Sequence, residues 1–173
     1  MILGIDPGLR AIGWALVEDN TGALRACGLA RGALSGRGPA AWGAVVDAAV
    51  SDVRLYAAAH EATAASVRVV SEFPQVYAAG KSKGDPADLL ELAAVVGMLA
   101  AALKAPRFSV VLPRAWKGNV PKDIMARRIL AGVTGESLAA YNRDIARVPP
   151  YLRHNVIDAV GIAKWAAKKG ARP

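Results

Sequence analysis

Three acids stand where the local pattern of the chain changes. Asp6 closes the apolar run Met1 to Ile5 and is followed at once by Pro7 and Gly8, so it falls where a buried strand gives way to a turn. Glu72 repeats that arrangement, because the β-branched stretch Val67 to Ser71 runs into Glu72-Phe73-Pro74. Asp158 lies in the last apolar-periodic segment, Asn155 to Lys168. Carboxylates brought together repel one another at neutral pH unless a cation sits between them, and oxygen ligands select a hard divalent ion, Mg²⁺ or Mn²⁺. Two such ions about 4 Å apart can activate a water and stabilise the leaving oxygen of a phosphodiester displacement. Each acid alone has a plainer reading. Asp suits a turn, a surface acid can end a strand, and Asn155 is a good N-cap with Asp158 in the first turn of its helix. The coincidence of three such positions favours convergence.

The elements that must bring them together are legible in outline. Ile12, Trp14, Leu16 and Glu18 alternate with Ala11, Gly13, Ala15 and Val17, which predicts a half-buried second strand. Asp19-Asn20-Thr21-Gly22 is a turn, and Ala23 to Gly32 a third, antiparallel strand. A helix is predicted over Pro39 to Ala64, with Trp42, Val45, Val46, Ala49, Val53 and Tyr56 on its apolar stripe and His60 a helix-end cation. Pro86 to Leu103 opens with a proline and acids suited to the helix dipole, and Ala93, Gly97 and Ala100 give it a small-residue face for close packing. A strand at Phe108 to Leu112, a helix from Lys122 to Leu130, a weaker helix or turn at Thr134 to Arg147 and the final helix complete the order. The expectation is one α/β domain, residues 1–173. Its mixed sheet would have the acids of two strand ends as neighbours, with Asp158 facing them.

Composition narrows the function classes. The chain has 173 residues and 54% hydrophobic composition, enough for a real core and too apolar for disorder. The run Leu92 to Leu103, between Glu91 and Lys104, is too short to span a bilayer. A lone Cys27 makes no internal disulfide and no basic leader precedes the first strand, so the cytoplasm is the expected compartment. The net charge of +8 is uneven: residues 1–100 hold 8 Lys/Arg against 10 Asp/Glu, and residues 101–173 hold 14 against 4. A positive C-terminal part fits a polyanion partner, because cations that neutralise phosphates release counterions. The nine residues Arg114 to Lys122 carry Arg114, Lys117 and Lys122 with a Trp and a Gly, as a phosphate-gripping loop would. Near Glu72, Tyr77 with Lys81 and Lys83 offers an aromatic ring in a basic loop, and stacking on a base is worth roughly 1–3 kcal/mol.

The start Ile-Asp-Pro-Gly with Gly13-Trp14 after it, Glu72 followed by Pro74-Gln75-Val76-Tyr77, the segment Lys117 to Lys122 and the terminal His154-Asn155-Val156-Ile157-Asp158-Ala159 together resemble the RuvC family of Holliday junction resolvases, its phage-type members most nearly. The resemblance spans nearly the whole chain in the right order. It implies an RNase H-like fold, with a five-stranded mixed sheet of three antiparallel and two parallel strands flanked by helices. It also implies a homodimer that meets no membrane, and Mg²⁺-dependent nicking of a four-way DNA junction, with Mn²⁺ able to substitute. Carried over by position, Asp6, Glu72 and Asp158 would be catalytic, metal-binding acids, Tyr77 a base-contacting aromatic, and Lys117 or Lys122 phosphate-contacting lysines. The family usually has an acid or a His three residues before the last Asp. Here Asn155 stands there, with His154 one residue earlier. Asn155 could offer a carbonyl oxygen to a metal, and His154 could ligate or assist proton transfer; His154 is preferred. Two alternatives keep the fold: a junction-binding protein with weak or no catalysis, and a YqgF-like nuclease acting on RNA.

Overall fold

A computed structural model describes residues 1–34, 36–63, 66–76 and 85–170. Its sheet has five strands in the order β3-β2-β1-β4-β5. β1 (Ile2–Asp6), β2 (Ala11–Val17) and β3 (Leu24–Arg31) form an antiparallel meander, and β4 (Arg68–Glu72) and β5 (Arg107–Val111) add parallel to β1. Three antiparallel strands continued by two parallel ones, with helices on both faces, is the RNase H-like arrangement expected from the resemblance. α1 (Pro39–Ala59) and α2 (Pro86–Leu103) cover one face. The other carries α4 (Lys122–Ala131), α5 (Gly135–Ile145) and α6 (Arg153–Gly170), with a single helical turn, α3 (Pro113–Trp116), joining β5 to α4.

Because side chains alternate along a strand, the two core clusters report which residues face which layer. Leu3 and Ile5 pack with α1 and α2, whereas Ile2 packs with α6. Asp6 therefore points to the α6 face. Val70 belongs to that same cluster, so Glu72, two residues on, points there too.

β2 departs from the half-buried strand expected. All seven of its residues are buried, because the side of Ala11, Gly13 and Ala15 is the seat of α6. A Cβ on Gly4 would press into the Ala159 carbonyl, and one on Gly13 into the Asn155 carbonyl. The missing side chains let the helix backbone lie directly on the sheet. Val156, Ala159, Val160, Ala163 and Ala167 are buried in that contact, as their spacing predicts.

Other differences have local causes. α1 ends at Ala59, five residues before the predicted end, with His60 as its C-cap and Glu61 in the left-handed region at φ 55°. The segment 135–145 is a full amphipathic helix that guards a sheet edge: Ser137 Oγ accepts from the Leu24 amide at 2.9 Å, and Asp144 Oδ2 from the Cys27 amide at 3.1 Å. Both acceptors are on buried residues, and they satisfy β3 amides that would otherwise offer an edge for pairing. α6 begins at Arg153, after a 3-10 turn at Pro150–Leu152 and with the Arg153 guanidinium donating to the Val148 carbonyl. Asn155 is thus inside the helix and not its N-cap, and Asp158 lies in the second turn.

α2 has the bounds the sequence predicts, with Asp85 accepting from the Ala87 amide at 2.9 Å. Its small-residue face does not pack as expected. Gly97 is exposed and a Cβ there would meet nothing within 4 Å; Val95, Val96, Leu99 and Leu103 make the buried stripe. Whole, α2 is 18 residues of mean hydropathy 1.7, long and apolar enough to cross a membrane by length and composition. In the fold it lies along α1, with Arg37 paired to Asp88 and Glu91 at its acidic start.

The two glycines differ in what replacement should do. Gly13→Ala forces α6 off the sheet and is expected to cost about 1–3 kcal/mol by overpacking, seen as a Tm lower by about 2–4 °C per kcal/mol. Gly97→Ala, where a Cβ meets nothing within the single chain, should raise the stability of the monomer by about 0.5–1 kcal/mol. Thermal melts of both variants beside the parent check the pair.

Candidate active site

Strand register makes the first contact. β1 and β4 run parallel with Ile5 opposite Ser71, so the next residues along, Asp6 and Glu72, leave the sheet side by side at its carboxyl edge. α6 then crosses the same face. Asp158, 7% exposed, is one of the few buried polar residues among those described, and neither a first-turn dipole contact nor a surface position accounts for it.

What joins the acids is Lys117, the residue that ends α3. Its ammonium lies 3.3 Å from Glu72 Oε2 and 3.9 Å from Asp158 Oδ2, and 4.9 Å from the centre of the Trp116 ring. Trp116 itself donates its indole N–H to Glu72 Oε2 at 2.6 Å and is buried in the core below. Asp6 is held well above the usual carboxylate range. Burial is the main cause, followed by repulsion from Asp158 and then Glu72, while Lys117 and Lys122 act in the opposite sense. Asp6 thus feels both of the other carboxyl groups and two lysines. The donor set is all hard oxygen, crowded enough that one member resists ionisation, and a cation already bridges two members. Such a set fits a divalent ion of the magnesium type. Among the described residues, however, no three His, Cys, Asp or Glu side chains are close enough to hold an ion as they stand. Lys117 occupies the gap between Glu72 and Asp158.

The remaining candidates fall into three groups. His154 and Asn155 are both in α6, four and three residues before Asp158, so both lie on its side of the helix. Asn155 lines a hollow with Gly8, Arg10 and Trp42. Lys122 opens α4 and is exposed, and Arg114 is exposed on α3. Arg114 to Lys122 is therefore not one loop: a helical turn places Lys117 inward, and Gly118 at φ 62° then turns the chain towards α4. Tyr77, Lys81 and Lys83 lie outside the described residues.

Trp116 is the site residue that sequence reasoning passed over. It was visible only as an aromatic among cations, and its hydrogen bond to a residue 44 positions earlier has no local signature.

No protein-family model matches the chain, and no curated protein matches it. Among solved structures it is similar to Thermus thermophilus RuvC in complex with a Holliday junction substrate, at 18% identity and TM-score 0.49, covering 95% of this chain and 90% of that one. A second Thermus thermophilus RuvC structure gives 20% identity and TM-score 0.49, covering 95% and 91%.

The raised Asp6 makes a stability prediction with a definite sign. A carboxyl group that holds its proton more tightly folded than unfolded lowers stability as pH rises from the unfolded value, near 3.9, through the folded one. Asp6→Asn removes that ionisation. In metal-free buffer at neutral pH the variant should melt higher than the parent, by about 2–4 °C for each kcal/mol relieved. The gap should close as pH falls below about 4, where the parent is protonated in both states. Melting curves across pH with a chelator present test it.

Proposed function

We propose that the chain is a single-domain, RuvC-type structure-specific endonuclease that nicks branched DNA, the four-way junction above all, working in the cytoplasm. The observation that carries this reading is that Glu72 and Asp158, distant in sequence, share the Lys117 ammonium while both push Asp6 upward. The motif resemblance and the positive C-terminal part support it independently.

In this reading Asp6, Glu72 and Asp158 would hold the divalent ions, with Asn155 or His154 beside them. Mg²⁺, or Mn²⁺ in its place, supplies an activated water and neutralises charge on the phosphoryl oxygens. Trp116 fixes the orientation of Glu72 through its N–H. Lys117 leaves the gap it fills between Glu72 and Asp158 to meet a backbone phosphate, and Lys122 and Arg114 hold phosphates farther along. Tyr77, Lys81 and Lys83 contact the DNA from the segment after β4.

A synthetic four-way junction incubated with Mg²⁺ should be nicked. Asp6→Asn should reduce the rate by roughly 100-fold or more, equivalent to about 2.7 kcal/mol of transition-state stabilisation. Gel analysis of labelled strands measures both. Equal cleavage by parent and variant, or none with any divalent ion, overturns the reading. A binding-only protein is favoured by Asn155, which stands where the family has an acid or a His. It predicts junction affinity without nicking in the parent, and affinity that survives Asp6→Asn.

The homodimer belongs to the same proposal. Leu90, Ala94, Gly97 and Ala101 are all exposed on α2, Leu90 by 76%, and their helical spacing makes one apolar stripe. A second copy covering that stripe explains why so apolar a helix turns these residues outward. Light scattering after gel filtration should give twice the chain mass for the parent and a monomer for Leu90→Lys.

A further inference from the structure

In the turn that follows Asp6, at the β2–β3 side of the sheet, the fold leaves a basic groove. The turn after Asp6 carries Arg10, and Ala11, the next residue, pairs with Arg31 at the end of β3. Both arginines line a hollow of about 420 Å³. Arg10 also lines a second hollow, of about 380 Å³, which reaches Asn155 near the start of α6. The two hollows share Leu9, Arg10 and Gly36, so they form one track from the helix that carries Asp158 to the far end of β3.

Two of the charges along this track, those of Arg10 and Arg31, have no ion-pair partner among the described residues. Both arginines are exposed. Arg37, which borders the second hollow, is engaged with Asp88 and Glu91. Two guanidiniums unpaired among the described residues and set along an open groove suit a polymer of repeated anions better than one small anion, which would be enclosed. Guanidinium also matches phosphate oxygens with two parallel hydrogen bonds.

We infer that the Arg10–Arg31 groove is a second phosphate-backbone site, holding a DNA strand at the β2–β3 side of the sheet, apart from Lys117 and Lys122. The inference rests on the nuclease reading. It gives that reading a second basic wall, placed in the N-terminal part of the chain, where net charge offers no hint of one. A strand running through the acids would then be gripped at two places, as positioning at the reacting phosphate requires.

The test is fluorescence anisotropy of a labelled four-way junction, with Ca²⁺ replacing Mg²⁺ to prevent cleavage, across about 50–200 mM salt. Arg10→Gln with Arg31→Gln should weaken binding and make the slope of log affinity against log salt shallower by roughly 1.8, the share of two phosphate contacts. Arg10→Lys with Arg31→Lys should keep the parent slope. Each single Gln substitution should remove about half of the change, so the inference stays testable should the double variant fold poorly. A parent that binds the junction with a slope unchanged in the Gln variants overturns the groove and leaves the nuclease reading standing. A parent with no salt-dependent affinity for the junction overturns both.

Discussion

The architecture depends on how closely α6 can lie on the central strands. Gly4 on β1 and Gly13 on β2 present no side chain to the helix, and the carbonyls of Ala159 and Asn155 occupy the space. Helix and sheet meet backbone to backbone over their most buried residues, so the height and rotation of α6 are set with little freedom. Asp158 inherits its position from that contact. Were the helix held farther out by ordinary side chains, Asp158 and Glu72 would not share one ammonium.

The acids then impose a cost that the rest of the fold must carry. Asp6, Glu72 and Asp158 are drawn towards one another at the half-buried rim of the core, and the protein answers in three ways. Asp6 resists ionisation, Lys117 inserts its ammonium, and Trp116 donates a charge-assisted hydrogen bond to Glu72. A cluster built for stability alone would not keep three carboxyl groups in one place. In the proposed nuclease reading, keeping them has charge ready for a cation and a phosphate.

The two edges of the sheet are treated differently. β3 is closed by Ser137 and Asp144 of α5, whose side chains take its amides. β5, at the other end of the sheet order, leaves Val110 54% exposed, and the outer stripe of α2 is also uncovered.

Much of this was legible in the sequence by itself. Apolar runs broken by Pro and Gly marked β1 and β4 and put Asp6 and Glu72 at their ends, and Asp85-Pro86 opened α2 at the residue where it begins. Those features are local: they depend on turn chemistry and side-chain period within a few residues. Only the tertiary structure decided the rest. That Gly13 and Ala15 seat a helix, that Trp116 serves Glu72, that Lys117 turns inward and that Arg31 joins Arg10 in one groove all depend on contacts between segments far apart in the chain. Such contacts leave no periodicity behind, because the same small, aromatic or basic residues are equally at home in a turn, a core or a solvated surface until the packing of distant elements assigns them a neighbour.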